Sequence, residues 1–310
     1  MPHFKLTLAY DGTPYHGWQI QPGVATVQGT LSDAIHRTTG ERVLPQGSGR
    51  TDAGVHALAQ VASFSLAAPI PTANLHRALN RCLPPSIRVL SAEFSPPTFH
   101  ARHSALNKTY EYRIFPLCPD PRTSNPEPRT CVDDLICPPT LAPFVWPCPW
   151  PLDNTALNEA AQHVLGTHDF TTFAAADPDL TTRTDTERDE NSGGPSFAAL
   201  SQRVGYSRHA RTVLTDPPTN IRTITHSAWR TSENLLIYTV TANGFLHHMV
   251  RNLVGTFVQA GAHRLDPESI PTLLAARNRS AAGPTAPPTG LFLLNVTYPA
   301  GLEPRTSNPS

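Results

Sequence analysis

The stretch Phe4-Lys5-Leu6-Thr7-Leu8-Ala9-Tyr10 sets the reading of the fold: Phe4, Leu6, Leu8 and Tyr10 alternate with Lys5, Thr7 and Ala9. A period of two puts one set of side chains on a buried face, and so predicts a half-buried strand. Working outward, Val27, Leu31, Ala34 and Ile35 recur at helical spacing. Residues 41–47 read as a short strand, and Val61, Ala62, Phe64 and Leu66 as a further one. Leu75, Ala78, Leu79 and Cys82 form a helical stripe that stops at Pro84, where proline disfavours helix in the residue before it. Residues 87–94 are again strand-like. The order is β-α-β-β-α-β, the ferredoxin-like (RRM-like) pattern.

The second half repeats that order of elements without repeating its sequence. Tyr110, Tyr112 and Ile114 share a face of a strand at 108–115, and Ala156, Leu157, Ala160, Ala161, Val164 and Leu165 mark a helix. Residues 222–230 and 234–242 read as a hairpin turned at Ser232-Glu233-Asn234, 245–261 as an apolar helix, 267–277 as a short helix and 290–298 as a closing strand. The fold class is therefore α+β, with an N-terminal half over 1–105 and a C-terminal half over 106–300. Two segments stand outside the pattern: Pro-rich 116–150 and polar, Gly/Pro-punctuated 177–220, both read as loop insertions. Residues 301–310 read as a flexible tail. The hexamer Pro-Arg-Thr-Ser-Asn-Pro occurs at 121–126 and again at 304–309, with no physical account beyond shared low complexity.

The chain of 310 residues is 39% hydrophobic, enough to pack a core, and its 33 prolines call for long irregular connections. Formal net charge is zero. That balance hides a mildly basic body. Residues 116–150 carry two Arg against four carboxylates, and 176–220 five Arg against seven, so the remainder holds a net +4. No apolar run reaches the length of a membrane span, and no signal-peptide pattern precedes the first strand, so a cytoplasmic protein is expected. Five cysteines without a Cys-x-x-Cys pair suggest neither a disulfide framework nor a structural zinc site.

The chemistry concentrates in Gly47-Ser48-Gly49-Arg50-Thr51-Asp52-Ala53-Gly54-Val55-His56-Ala57. Three glycines in eight residues allow turns and close ligand approach. Arg50 and Asp52 project to one side of an extended loop, where the cation can pair with the carboxylate. By composition alone, a Gly-rich turn with a surface ion pair is the favoured reading. Further along, Phe99-His100-Ala101-Arg102-His103 with Lys108 makes a basic cluster beside Tyr110, suited to phosphate contact or to a solvated charged face. Arg251 interrupts an apolar helix, so it lines a cleft, finds a partner or snorkels to solvent. His247 and His248 are adjacent, hence on different sides of a helix. That placement argues against a metal-ligand pair and is compatible with plain packing.

The string Gly49-Arg50-Thr51-Asp52-Ala53-Gly54-Val55-His56-Ala57 resembles the active-site signature of the tRNA pseudouridine synthase A family. Other strings similar to the family's follow in order. They are residues 10–19 (Tyr-Asp-Gly-Thr-Pro-Tyr-His-Gly-Trp-Gln), 99–102, 108–113, 168–173, 243–252 and 286–291. Several collinear motifs are more specific than any one of them. The resemblance covers about 1–115, 152–175 and 220–299, and departs from the family's compact pattern at the two insertions. It implies two ferredoxin-like halves flanking a central RNA-binding cleft, and isomerisation of uridine to pseudouridine in tRNA, at positions 38, 39 and 40 of the anticodon stem-loop.

The resemblance also implies site roles. Asp52 is the nucleophile, Arg50 helps hold the target base out of the stack, Tyr110 stacks on the uracil and serves proton transfer, and Arg251 pairs with Asp52. His100, Arg102, His103, Lys108, His247 and His248 are candidate RNA contacts. No cofactor and no metal are expected, because nothing is oxidised and no group is imported. The implied partners are tRNA and a second copy of the chain in a homodimer. Tyr110 is also compatible with a plain core aromatic. A non-catalytic RNA-binding module, a synthase for another RNA position and a metal-dependent hydrolase remain as alternatives.

Overall fold

The computed structural model describes residues 1–118, 136–175 and 219–300. The N-terminal half runs β1 (His3–Tyr10), α1 (Val27–Thr39), β2 (Gln46–Gly47), β3 (His56–Ser65), α2 (Thr72–Cys82) and β4 (Ile87–Ser95). The C-terminal half runs β5 (Asn107–Pro116), β6 (Trp146–Cys148), α3 (Asn154–Gln162), β7 (Gly166–Asp169), β8 (Ile221–Ser232), β9 (Leu235–Ala242), α4 (Met249–Gly261), α5 (Ile270–Ala276) and β10 (Leu291–Thr297). The α+β class read from the sequence is the class of the structure.

The strands form one sheet in the order β4-β1-β3-β10-β5-β9-β8-β7, with β2 on β3 and β6 on β5. Each half keeps the ferredoxin-like order, β4-β1-β3-β2 and β10-β5-β9-β8. They join where β10 runs parallel to β3, at Phe292↔His56 and Leu293↔Ala57. The two halves therefore share one sheet edge to edge. This junction sits directly behind the Gly-rich loop, because His56 and Ala57 are the last residues of the 47–57 string.

Local chemistry explains the element ends. Thr26 caps α1 by accepting from Gly29 N, and Gly40, at φ 77°, closes it in the left-handed region. The alternation at the N-terminus holds: Phe4, Leu6, Leu8 and Tyr10 are buried on one face of β1. The strand expected over 41–47 shrinks to Gln46–Gly47, immediately after Pro45, which has no N–H to give a ladder. Residues 136–150 are not the open loop expected of the 116–150 insertion. Trp146–Cys148 adds a strand parallel to β5, and Trp146 packs edge-on against Tyr112 with ring centroids 6.3 Å apart. The 177–220 segment, apart from its last two residues, and the 301–310 tail lie outside the described residues. Among the described residues no helix is long and apolar enough to cross a membrane.

The helix expected over 245–261 begins only at Met249. His248 precedes it at φ 58°, so the chain turns sharply just before the first helical residue. That four-residue delay decides the geometry of the site.

Candidate active site

The loop that carries Asp52 is held from beneath by a buried polar network. Thr51 Oγ1 and Tyr10 Oη lie 2.8 Å apart, Gln60 Nε2 donates to Gly49 O at 2.9 Å, and Ser48 Oγ donates to Gln60 Oε1 at 2.6 Å. Burial pushes the Tyr10 phenol up to about 12, so it stays a neutral hydroxyl in this network. A satisfied buried network fixes one loop conformation. Residues 10–19 press on the loop from the side: Trp18 N donates to Thr51 O at 2.9 Å. A Cβ on Gly12 would overlap Val55 O, and one on Gly17, at φ +82°, would lie 2.6 Å from Thr51 O. Glycine at 12 and 17 is what lets these two backbones touch.

Asp52 faces the other way, toward α4. Arg251 Nη1 donates to Asp52 Oδ2 at 3.2 Å, while its Nε donates to Ala286 O at 2.8 Å. Ala286 N in turn donates to Arg251 O at 3.1 Å, so the 286–291 segment grips Arg251 at backbone and side chain alike. The contact between residues 52 and 251 expected from the family strings is thus present in the geometry.

Both histidines also reach Asp52, and here the sequence reading needs correction. His247 Nε2 is 3.7 Å from Asp52 Oδ1 and His248 Nε2 is 3.3 Å from Oδ2, with the two rings 3.9 Å apart. Helical spacing would have turned them apart; the left-handed backbone at His248, ahead of the helix, brings them together instead. Their ring nitrogens and an Asp52 oxygen lie within 4.8 Å of one another, an arrangement able to ligate a cation. Against a metal stands Arg251, whose fixed positive charge already bonds the same carboxylate.

Burial holds the His248 imidazole below its ordinary 6.5, outweighing the pull of Asp52 in the other direction. It is therefore neutral at pH 7 and protonates only as pH falls below 6.5. A cationic His248 would pair with the Asp52 carboxylate, 3.3 Å away. We expect kcat/KM to fall on the acid side of 6.5 and His248→Asn to flatten that limb; an acid limb identical in the two proteins would sink this role.

Asp52 opens into a cleft of about 870 Å³ built from both halves. Its walls include Arg50, Trp18 and His16 from the first half and Tyr110, Phe245 and Arg251 from the second. Tyr110 is buried and meets Phe245 edge-on at 5.0 Å. Burial, then the neighbouring Tyr10 and Asp52, push its hydroxyl far above the usual phenol range, so it enters any reaction protonated. An added Cβ on Gly49 would lie 3.5 Å from Lys108 Nζ and 3.7 Å from Tyr110 Oη, so both polar tips hang over bare backbone. Lys108 and Arg102 line the cleft; His100 and His103 do not. These two rings lie tilted against each other with centroids 4.3 Å apart, and His100 Nδ1 accepts from the backbone N–H of Arg102 and His103 at 3.1 and 3.3 Å, bracing the turn that presents Arg102.

The sequence reading missed the supports. Asn252, fully buried in α4, donates to Phe173 O at 2.8 Å and accepts from Arg279 at 3.0 Å and Thr285 at 2.7 Å. It pins the 168–173 string and the 279–285 turn to the helix that carries Arg251. An amide inside an apolar helix was the signal for it.

A carboxylate clamped by an arginine on the floor of a cleft walled by aromatic and basic side chains is an enzyme-type site, shaped for a flat polar ring attached to an anionic backbone. The comparisons with known proteins narrow this class. A family model described as tRNA pseudouridine synthase matches residues 7–104 and 205–299. The chain is 41% identical over 299 residues to a tRNA pseudouridine synthase A of Solibacter usitatus, covering 96% of this chain and all of that one. It is 39% identical over 302 residues to the protein of the same name from Moorella thermoacetica, again over 96% of this chain and 100% of the relative. A Rhodopseudomonas palustris relative of that name is 38% identical over 299 residues, with the same coverage. The chain belongs to the tRNA pseudouridine synthase A family.

Proposed function

We propose that this protein converts uridine to pseudouridine in tRNA, at positions 38, 39 and 40 of the anticodon stem-loop, with Asp52 as nucleophile. The observation that carries the reading is the 3.2 Å bond from Arg251 to Asp52 on the floor of a cleft lined by Tyr110, Arg50 and Lys108. The reaction breaks N1–C1′ and joins C5 to C1′. A proton leaves C5 and one arrives at N1, so the formula is unchanged and no oxidant or group donor is consumed.

The residues divide this work. Asp52 adds to the nucleoside or steadies the cation developing at C1′. Arg251 and the histidine pair fix the carboxylate's direction. Tyr110 and Phe245 flank the extruded uracil, since a base must leave its stack before enzyme groups reach it. The protonated Tyr110 hydroxyl can donate to the detached base or relay the C5 proton onward, but it does not start as a phenolate. Arg50 stands at the mouth, where a guanidinium can occupy the place the base has left. Arg102 and Lys108 meet backbone phosphates, and His100 and His103 act on RNA through the turn they brace. The same reading assigns a homodimer working on tRNA in the cytoplasm.

The test is direct. The protein, without added metal or cofactor, is incubated with an unmodified tRNA transcript carrying uridines at 38, 39 and 40, and pseudouridine is mapped by position. Product at those sites is expected. Product elsewhere in the tRNA would reassign the target, and tight binding without product would favour a non-catalytic RNA-binding module.

A further inference from the structure

We infer that Arg222, together with Lys108 and Arg102, forms a phosphodiester-binding subsite at one end of the cleft, which seats an RNA backbone phosphate flanking the base held over Asp52. The inference rests on the reading that the cleft takes RNA, and adds to it a residue from β8, a strand that contributes nothing else to the site.

The sheet register puts the groups together. Lys108 on β5 is paired with Ala242 on β9, and Ala242 is paired with Ile224 on β8. Cross-strand partners share a face, and so do residues two apart along a strand. Arg222, two residues before Ile224, therefore projects on the face that carries Lys108 and Tyr110. The 243–245 segment passes beneath it: Thr223 N donates to Asn243 Oδ1 at 3.1 Å, and Asn243 N to Thr223 O at 3.2 Å. An added Cβ on Gly244 would lie 3.4 Å from Arg222 Nε, so the guanidinium lies across bare backbone here, as the Lys108 tip does at Gly49.

The guanidinium is also oriented. Its Nη1 donates to Thr219 O at 2.7 Å and to Ile221 O at 2.6 Å. Its Nε and Nη2, the pair of donors that matches two phosphate oxygens, have no hydrogen-bond or ion-pair partner among the described residues. Lys108 Nζ likewise has none there. Burial, then the positive charges of Arg102 and Arg222, bring the Lys108 ammonium down to about 8. Cations gathered at a half-buried point, two of them without an anion, are costly unless an anion arrives. RNA supplies one at every nucleotide, and Lys108 and Arg102 line the cleft where the base is expected.

The closing experiment uses the full chain and an unmodified tRNA transcript, with equilibrium binding measured from about 50 to 200 mM salt. Arg222→Gln should weaken binding about tenfold, and the slope of log affinity against log salt should become shallower by about 0.7–0.9, the signature of one lost phosphate contact. Arg222→Lys should restore the slope but only part of the affinity, because a point charge replaces the fork. Arg81→Gln, an exposed charge on α2, serves as the control and should change binding less than about twofold. Lys108 adds a second readout. Wild-type affinity should decline as pH rises through about 8 and the ammonium deprotonates. The other charged groups facing it are Arg102, Arg222, Arg50 and Asp52, with Tyr110 protonated throughout. Lys108→Arg should remove the decline.

The subsite is overturned if Arg222→Gln, folded by circular dichroism, matches Arg81→Gln in affinity and salt slope. It is overturned as well if Lys108→Arg leaves the pH dependence in place. Pseudouridine mapping on the same samples separates this from the reading of function. Wild type that binds with these dependences yet makes no product sinks the proposed reaction and leaves the subsite standing. Product formation with unaltered salt slopes does the reverse.

Discussion

Asp52→Asn is expected to reduce pseudouridine formation by about 10⁴-fold or more, while tRNA affinity stays the same or tightens slightly. The size follows from the proposed role: removing a covalent nucleophile deletes a step for which nothing nearby substitutes, and such losses reach about 10⁴–10⁶-fold. Asparagine keeps the shape and can still accept from Arg251 Nη1 and rest against His248, which lie 3.2 and 3.3 Å from the carboxylate. The buried network under the loop does not involve the Asp52 side chain, so the fold should be unaffected. The affinity argument is electrostatic. Asp52 is an anion in a cleft lined by Arg50, Arg102, Lys108 and Arg251, and deleting it removes repulsion toward phosphate. Single-turnover product formation beside filter binding measures both quantities. Residual turnover within tenfold of wild type would remove Asp52 from the chemistry; a large loss of affinity would make it a binding residue instead.

Much of this site is legible in the chain because its residues sit at the ends of strongly patterned elements. The alternation from Phe4 to Tyr10 gives β1, and the glycines around Asp52 mark a loop entered by bare backbone. The apolar run containing Arg251 gives a helix whose one charge must have a use. Periodicity reads side-chain faces, so it places residues within an element and says little about where the element begins. That is why the histidine pair was read wrongly. Phe245 to His248 continues the apolar pattern of α4, yet the helix starts at Met249, and the left-handed turn at His248 swings both rings onto Asp52. Nothing in a hydrophobic period encodes a positive φ at a residue other than glycine. The union of both halves in one sheet was hidden for a related reason: it depends on two residue pairs between β10 and β3, separated by more than two hundred positions along the chain. The supporting polar groups Gln60, Ser48 and Asn252 look ordinary one at a time and gain meaning only as a network.

Arg251→Met should lower kcat by about 10²–10³-fold, the range seen when one preorganised charged donor is removed from a reacting centre, and should leave the KM for tRNA much less affected. Methionine fills the aliphatic path of the arginine but loses three things: the bond to Asp52 Oδ2, the bond to Ala286 O, and the fixed charge between them. Without that charge the carboxylate keeps only the two imidazoles, whose ring nitrogens lie 3.7 and 3.3 Å from it. A carboxylate that can rotate attacks less often from a productive angle, which appears in kcat. Some stability should go as well, because the side chain is only 14% exposed and ties α4 to the 286–291 segment; a loss of about 1–3 kcal/mol fits one charge-assisted hydrogen bond with its buried partner left unpaired. Arg251→Lys discriminates between the two effects. It restores the charge but cannot reach Asp52 and Ala286 together, so stability should return further than kcat. The decisive comparison is the double variant Asp52→Asn/Arg251→Met. If Arg251 acts through Asp52, the double variant should be no slower than Asp52→Asn alone, since a carboxylate that is gone cannot be misaligned. Additive losses would mean that Arg251 works on the RNA by itself, and the 3.2 Å bond between them would then be structural.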